Sequence, residues 1–320
     1  MKKSGRRTAL LIAVAMAVLG IGSIATTSAA GAATLCSPTA STATSAGSSA
    51  AGSEPTVAEP ALAEPAAQLA EPAAQPAAAI AAAPIKIWMA GDSTMQNPSG
   101  GCPVGWGSQF GSLFSSDATV VNRAISGRSI QTWLYDPNVT NTKNSAGECV
   151  VSPNTYSARW QEMLNTSTGM KAGDYLFIQF GINDGDSACP RHVGPARYQE
   201  LLTMMARAAQ ARGARPIFLT PVAAITCSGG TATPNRGYVN QTFAAGAATN
   251  VPVIDLQKLS VALYNSLKFC PNNGDYTTGV VGAFFCNDHT HFETAGARQI
   301  ASVVATALRN QGIALAAYLR

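Results

Sequence analysis

Five short apolar runs, separated by longer stretches, constrain the fold of this chain more than any other feature of its sequence. The runs span 85–90, 119–122, 175–180, 216–220 and 251–255. The run at 175–180 is apolar almost throughout, as in a strand that is covered on both faces. Residues 195–212 carry apolar side chains at helical spacing, and 294–319 is predicted to form one or two final helices. Alternating strands and helices predict an α/β fold with a five-stranded parallel sheet between two helical layers.

The sequence Gly-Asp-Ser-Thr at 91–94 follows the first run directly. In parallel sheets ligands bind beyond the carboxyl ends of the strands, so this segment lies where a functional site is expected. A serine at a strand-to-helix turn exposes its hydroxyl and presents its own backbone N–H beside it, which makes Ser93 a candidate nucleophile. The alternative is that Ser93 or Asp92 only caps a helix, as both residue types commonly do.

A carboxylate and two imidazoles lie within four residues in the sequence Asp-His-Thr-His at 288–291. Histidine is the natural base for a serine hydroxyl, whose proton is held too tightly at neutral pH to leave unaided. A carboxylate on the other ring nitrogen fixes the tautomer and stabilises the imidazolium. The pattern therefore predicts a general base with an orienting acid, against the alternatives of a surface turn or a metal site. Asp255, a rival orienting acid, fits better as a helix cap.

Two more segments that follow predicted strands carry groups able to stabilise negative charge. Gly-Ile-Asn-Asp at 181–184 places the Asn183 amide after the third strand, and Gly127 comes shortly after the second. A glycine lets a backbone N–H approach a reacting atom closely. With the N–H of Ser93, these groups would give an oxyanion three donors. Taken singly, Asn183 also fits a turn and Gly127 an ordinary loop.

The charge of the chain argues against nucleic acid as a partner. The net charge at pH 7 is +4, from 21 Lys and Arg against 17 Asp and Glu. The sequence has no basic run with interleaved aromatic residues, which nucleic-acid-binding surfaces typically show. A polyanionic polysaccharide is compatible with this mild charge but is not demanded by it. We expect the chain to act as a monomer.

The cysteines fit an exported protein that folds under oxidising conditions. The chain has 7 Cys, and such a number is typical of secreted proteins with disulfides. Cys36 lies outside the predicted domain, and the pairing of the others cannot be deduced from the sequence alone. Pairing of neighbours is the prediction, because each bridge would brace one long loop: Cys102–Cys149, Cys189–Cys227 and Cys270–Cys286. No Cys-x-x-Cys occurs, so no metal site is predicted.

The first 32 residues are typical of an export signal. Basic residues at 2, 3, 6 and 7 precede an apolar stretch at 9–24, and Ala-Gly-Ala at 30–32 reads as a cleavage site. We therefore expect a secreted protein with no stable membrane insertion after cleavage. The alternative is an uncleaved segment that anchors the protein at the cell surface.

Residues 33–84 are predicted to be a disordered linker rich in Ala and Pro. The tripeptide Ala-Glu-Pro recurs at 58–60, 63–65 and 70–72, and bulky apolar side chains are almost absent. Such a segment has little apolar burial to offset the entropy of ordering. Residues 85–320 remain for a single catalytic domain, and this stretch is long enough to bury a sizeable core.

Taken together, the segments after the predicted strands resemble the sequence blocks of the SGNH, or GDSL, hydrolases, over essentially all of 85–320. The matching residues are Gly-Asp-Ser at 91–93, Gly127, Gly-x-Asn-Asp at 181–184 and Asp-x-x-His at 288–291. The resemblance implies a flavodoxin-like three-layer α/β/α fold and serine ester hydrolysis without a metal or cofactor. It implies that Ser93 is the nucleophile, His291 the base and Asp288 the residue that orients it. It also implies an oxyanion hole formed by Ser93, Gly127 and Asn183.

Further motifs are similar to those of the rhamnogalacturonan acetylesterases within this family. They are G-D-S-T-M at 91–95, G-W-G at 105–107, V-V-N at 120–122, S-G-R-S at 126–129, G-D-Y at 173–175 and D-H-T-H at 288–291. This likeness implies an acetylated polysaccharide, or another small ester, as the substrate. Ile182 stands where that group more often has His. The cysteine-bearing loops at 140–155, 185–195, 226–236 and 270–287 are also unlike it.

Four residues are candidate contacts to the substrate: Asp92, Trp106, Arg128 and His289. A scaffold or surface role is the alternative for each. Two other functions stay open at this point. One is a lipase or general short-chain esterase on the same fold, and the other is a non-catalytic glycan-binding module.

Overall fold

The structure is a computed structural model that describes residues 83–320. The predicted signal peptide at 1–32, nearly all of the predicted linker at 33–84 and Cys36 lie outside the described residues. The first strand begins at Ile85, where the sequence predicts that the catalytic domain starts. Within the described part of the chain, no helix is both long and apolar enough to cross a membrane.

The strands form one central sheet and two small hairpins. In chain order they are β1 (Ile85–Gly91), β2 (Ala118–Asn122), β3 (Val139–Lys143), β4 (Cys149–Val151), β5 (Tyr175–Gln179), β6 (Arg215–Leu219), β7 (Cys227–Ser228), β8 (Thr231–Ala232) and β9 (Val253–Ile254). Five of them pair in parallel in the order β2-β1-β5-β6-β9. These are the five strands that the apolar runs predict, in the flavodoxin-like order. The pairs β3–β4 and β7–β8 are antiparallel.

The helices that connect these strands are α1 (Gly107–Phe110), α2 (Ile130–Tyr135), α3 (Ala158–Leu164), α4 (Pro195–Gln210), α5 (Val239–Thr249), α6 (Leu256–Ser266), α7 (Gly279–Gly282) and α8 (Thr294–Asn310). The helix predicted at 195–212 is α4. The final predicted segment divides into α8 and a short 3-10 helix at Ala314–Tyr318. Asp255 caps α6 as predicted, since its carboxylate accepts a hydrogen bond from the N–H of Lys258 at 3.1 Å.

Helices cover both faces of the sheet because its strands are apolar on both sides. All five residues of β5 are buried. Tyr175 and Phe177 pack in one core with α6 and α8, whereas Leu176 and Ile178 pack in the other core with α2 and α4. Full burial of a large apolar side chain contributes about 1.5–3 kcal/mol. The predicted three-layer α/β/α arrangement is thereby confirmed.

The disulfide pairing predicted from the sequence is wrong. The structure pairs Cys102 with Cys286, Cys149 with Cys189, and Cys227 with Cys270, with Cα separations of 5.8, 5.6 and 5.6 Å. A bridge requires two cysteines to be close in space, whatever their separation along the chain. The parallel sheet brings loops that are distant in sequence to the same edge, so each cysteine meets a partner from another loop.

Removal of the bridge with the longest loop is expected to destabilise the protein most. Cys102–Cys286 spans 184 residues and Cys149–Cys189 spans 40. The other two bridges lie inside the longer loop and shorten it. Loop entropy therefore predicts that Cys102→Ser/Cys286→Ser loses about 1 kcal/mol more unfolding free energy than Cys149→Ser/Cys189→Ser. Urea unfolding measures this difference. Equal losses, or peptide mapping that recovers the neighbour pairs, would contradict the arrangement.

Candidate active site

Ser93 lies just beyond the end of β1, in a tight turn that places its hydroxyl against a histidine. The carbonyl of Asp92 accepts hydrogen bonds from the N–H groups of Met95 and Gln96, both at 3.1 Å, which closes a helical turn around Ser93. The Oγ atom of Ser93 lies 2.9 Å from Nε2 of His291, although the two residues are 198 positions apart. The fold thus brings together the first and last segments that the sequence singles out.

Asp288 holds both the ring and the backbone of His291. Its Oδ2 lies 2.7 Å from Nδ1 of the ring. Its Oδ1 accepts hydrogen bonds from the N–H groups of Thr290 and His291, both at 2.7 Å. Partial burial raises the pKa of Asp288, but hydrogen bonds from His291 and Thr290 outweigh it and hold the pKa below its usual value. The carboxylate is therefore charged at neutral pH, as an orienting acid requires.

The segment that carries His291 is anchored from several directions. The N–H of Ile225 donates to the carbonyl of His289, and the N–H of Cys286 donates to the carbonyl of His291, both at 2.8 Å. Cys286 is bonded to Cys102, in the loop that follows β1. Phe292, directly after the histidine, is fully buried in the core. These contacts leave the imidazole little freedom to move away from Ser93.

Arg236 also braces this segment, a role that the sequence does not predict. Its Nη2 donates to Oγ1 of Thr290 at 3.0 Å, and its Nε donates to the carbonyl of Val222 at 3.2 Å. Burial lowers the pKa of the guanidinium, and the fields of Asp92 and Asp288 oppose that effect. No sequence pattern marks Arg236, because a single arginine in a polar loop has no characteristic spacing.

The two other candidate oxyanion donors lie on neighbouring loops that contact each other. Asn183 donates from Nδ2 to the carbonyl of Arg128 at 3.1 Å. That carbonyl belongs to the residue after Gly127, which has a φ of +70° and no side chain to cover its backbone. The loop is tied to the end of β1, since the N–H of Ile125 donates to the carbonyl of Gly91 at 3.0 Å. One amide hydrogen of Asn183 remains for another acceptor.

The carboxylate of Asp184 holds these two loops together from the interior of the protein. This fully buried carboxylate accepts hydrogen bonds from the N–H groups of Ile130 and Gly181, each at 2.8 Å. Burial raises its pKa to about 7 against the opposing effect of these donors. Gly181 has a φ of +107°, and a Cβ there would lie 2.6 Å from the ring of Pro221. Only glycine fits at this position, which is the physical reason for the first residue of the Gly-x-Asn-Asp block.

Two of the four predicted substrate contacts are wrong, because their side chains are sealed inside the protein. Trp106 and Asp92 are 0% exposed. Trp106 donates from Nε1 to Oε1 of Gln179 at 2.7 Å, and Gln179 donates from Nε2 to Oγ1 of Thr94 at 2.7 Å. Thr94 in turn donates from its hydroxyl to Oδ1 of Asp92 at 2.8 Å. Both predicted contacts are therefore parts of a buried hydrogen-bonded chain beneath Ser93.

The other two predicted contacts lie at the surface. Arg128 is partly exposed and forms an ion pair with Asp136. His289 is exposed, and its ring centroid lies 5.8 Å from that of Tyr276. Both side chains are placed where a ligand can reach them.

One group of potential metal ligands lies near this edge of the sheet. It consists of Cys102, Cys286 and Glu293. The two cysteine sulfurs are bonded to each other, so neither is a thiolate, the form that binds metals. Within residues 83–320, this group therefore does not have the donor set of a metal centre.

Comparison with known proteins places this chain among hydrolases. The model of the GDSL-like lipase/acylhydrolase family matches residues 89–299. Rhamnogalacturonan acetylesterase RhgT of Bacillus subtilis is 31% identical over 74% of this chain and 94% of its own length. A rhamnogalacturonan acetylesterase of Emericella nidulans is 26% identical over 72% of this chain and 86% of its own. The solved structure of protein YXIM from Bacillus subtilis is similar at a TM-score of 0.57 and 26% identity. That match covers 72% of this chain and 58% of the solved chain.

The stability that Asp184 contributes is expected to decrease as the pH rises. Its pKa is about 7 in the folded protein and about 3.9 in an unfolded chain, so folding favours the protonated form. That contribution is complete below the unfolded pKa and is lost as the pH rises through the folded one. Asp184→Asn cannot accept from both N–H groups at any pH. The stability advantage of the wild type over Asp184→Asn should therefore shrink between pH 4 and pH 7.

Urea unfolding at several pH values measures this change, and Asp275 provides a matched control. Hydrogen bonds from Thr278 and Thr277 lower the pKa of that exposed carboxylate to about 2. Asp275→Asn should therefore change stability by a constant amount between pH 4.5 and pH 7. A wild-type advantage over Asp184→Asn that stays constant or grows between pH 4 and pH 7 would show that Asp184 is charged throughout this range.

Proposed function

Since this chain belongs to the GDSL-like lipase/acylhydrolase family of carboxylic ester hydrolases, we propose that it is a secreted, monomeric serine esterase that removes O-acetyl groups from plant cell-wall polysaccharide of the rhamnogalacturonan type. The observation that carries the proposal is the continuous contact from Ser93 through His291 to Asp288, at 2.9 and 2.7 Å. These are the distances that proton transfer from a serine to an oriented histidine requires.

The reaction begins with removal of the serine proton. His291 accepts the proton from Oγ of Ser93 at Nε2 as the oxygen attacks the carbonyl carbon of the ester. Asp288 keeps the proton of the imidazole on Nδ1 and stabilises the positive charge that forms on the ring. The lowered pKa of Asp288 ensures that its charge is present at neutral pH.

Negative charge then develops on the former carbonyl oxygen. We assign its stabilisation to the N–H of Ser93, the N–H of Gly127 and the free amide hydrogen of Asn183. Such donors are fixed before the reaction starts, so they need no reorganisation as charge appears. Loss of one donor typically costs about 2.7–4 kcal/mol of transition-state stabilisation.

The sugar hydroxyl leaves when His291 returns the proton to its oxygen. A water molecule next loses a proton to His291, attacks the acetyl group on Ser93 and releases acetate. Each proton that the imidazole takes up is given back, so the site ends the cycle in its starting state.

The surroundings of Ser93, His291 and Asp288 favour a short acyl group on a large alcohol. The side chains of His291 and Asp288 are 31% and 43% exposed, so a polymer can reach them from solvent. A long acyl chain requires a contiguous apolar surface. Among the described residues, the large apolar side chains that are well exposed are Phe243 and Val280. The acetylesterase names of the relatives agree with this preference.

Two features support secretion. Residues 1–32 have the pattern of an export signal. Three disulfides stabilise the described residues, and such bridges persist in oxidising surroundings outside the cell.

Chain-length preference and dependence on Ser93 test the proposal. On p-nitrophenyl esters, kcat/KM should fall at least about tenfold from acetate to octanoate, since each methylene that finds no apolar pocket loses binding. Ser93→Ala should lower kcat on the acetate by about 10⁴-fold or more without unfolding the protein. Ser187→Ala, a control at an exposed serine, should keep full activity. An octanoate optimum would indicate a lipase instead, and substantial turnover by Ser93→Ala would eliminate the serine mechanism.

Loss of the Arg236 side chain should lower kcat with little change in KM. Arg236→Met removes the hydrogen bond to Thr290 and loosens the segment between Asp288 and His291. We expect kcat on p-nitrophenyl acetate to fall about tenfold, equivalent to about 1.4 kcal/mol. Arg236→Lys, which keeps the charge, should recover part of the loss.

Arg212→Met provides the matched control for Arg236→Met. Arg212 also donates to two backbone carbonyls, those of Met170 and Asn165, but it contacts no residue of the site. Steady-state kinetics on the three variants decide between the two roles. An equal fall in kcat for Arg212→Met and Arg236→Met would mean that Arg236 acts only through general stability.

A further inference from the structure

A pocket of about 450 Å³ opens at His289, within the segment 288–291 that carries Asp288 and His291. Its lining includes Thr226, Cys227, Asn272, Tyr276 and His289. We call this cavity the side pocket. The mechanism above uses none of the side chains that form it.

The side pocket lies within reach of a polymer held at the catalytic residues. His289 lines it, and His289 is two residues from His291, so their Cα atoms lie within about 7 Å. The carbonyl of His289 is fixed by the N–H of Ile225 at 2.8 Å. The rings next to an acetylated ring whose ester reaches Ser93 are therefore close enough to enter this pocket.

The walls of the side pocket are built to stay in place. The bridge between Cys227 and Cys270 covalently joins β7 to the segment that carries Asn272. Asn265 on α6 holds the hairpin β7–β8 through hydrogen bonds to both the N–H and the carbonyl of Ala232, at 2.7 and 3.2 Å. Asp275 accepts hydrogen bonds from the N–H and hydroxyl of Thr277, both at 2.8 Å, and so fixes the turn that carries Tyr276. Such fixed walls reduce the entropy lost when a ligand binds.

The chemistry of the lining suits a sugar. Tyr276 and His289 present rings whose planes are inclined by 49°, and the negative face of an aromatic ring attracts the weakly positive C–H groups on one face of a pyranose. The amides of Asn272 and Asn273 supply donors and acceptors for hydroxyl groups. The buried Nδ2 of Asn272 has no hydrogen-bond partner among the described residues. This lining residue therefore keeps a donor that no described residue uses.

The charge around the side pocket favours a neutral ring. None of the lining residues is Lys, Arg, Asp or Glu. Recognition of a uronate normally relies on a cation that pairs with its carboxylate. The charged group nearest in sequence to Tyr276 is Asp275, which would repel a uronate.

We propose that the side pocket binds a neutral sugar ring adjacent to the acetylated ring, with that ring stacked on Tyr276. This inference rests on the proposed function, because it names the part of the polysaccharide that the same site recognises. Polysaccharides that contain neutral rings next to acetylated ones are therefore the favoured substrates, and polymers made of uronates alone are not.

The test compares substrates that carry the same ester but differ by two neutral rings. The probes are methyl mono-O-acetyl xyloside and mono-O-acetyl xylotriose, which share the same ester. In the wild type, kcat/KM should be about tenfold higher on the triose, mainly through a lower KM. Tyr276→Ala should reduce this ratio to near one, whereas Tyr276→Phe should keep it, because the aromatic face remains. Phe243→Ala removes an exposed aromatic ring on α5, outside the pocket, and should leave the ratio unchanged.

The outcomes separate the inference from the proposed function. A wild-type ratio near one, or a ratio that Tyr276→Ala leaves intact, overturns the side pocket as a sugar site while the esterase assignment stands. No acetate release from either probe by the wild type, with p-nitrophenyl acetate also untouched, overturns the proposed function itself. Acetylated trigalacturonate serves as the acidic probe. If the extra rings of acetylated trigalacturonate raise kcat/KM as much as those of xylotriose do, the preference for a neutral ring is contradicted.

Discussion

The parallel pairing of β1 with β5 at the centre of the sheet determines where the functional groups lie. Its register sets Gly91 beside Gln179, so both strands end at the same level. Ser93 follows the first strand and Asn183 follows the second, and each loop therefore starts from a fixed point. Both strands are buried almost completely, which makes this pairing costly to disturb. The loops that carry Ser93 and Asn183 differ from each other in structure, but each starts from a rigid strand end.

The layer beneath Ser93 explains why two conspicuous residues are structural. A chain of hydrogen bonds runs from Trp106 through Gln179 and Thr94 to Asp92, and every member of it is buried. Buried polar groups of this kind stabilise one arrangement strongly because any break leaves an unpaired group away from water. The chain thus supports the turn around Ser93 from the interior of the protein.

Local patterns predicted the elements of this fold well, whereas the contacts between loops at the sheet edge were predicted poorly. The strands, α4 and the cap at Asp255 follow from apolar spacing and capping chemistry within a few residues. The disulfides do not, because pairing depends on which loops meet at the sheet edge. The sequence leaves Trp106 open as a substrate contact or a scaffold residue, because no local pattern shows that Gln179 accepts a hydrogen bond from its indole N–H. The role of Arg236 is not predicted for a related reason, since its partners Val222 and Thr290 lie on two other loops.

The bridge between Cys102 and Cys286 makes the position of the His291 segment depend on the oxidation of two cysteines. It joins the loop after the serine turn to the segment just before the histidine. In the reducing interior of a cell such sulfurs stay apart, and a newly made chain then lacks this clamp on the imidazole. Closure of this clamp on the imidazole therefore depends on the redox state of the surroundings in which the chain folds.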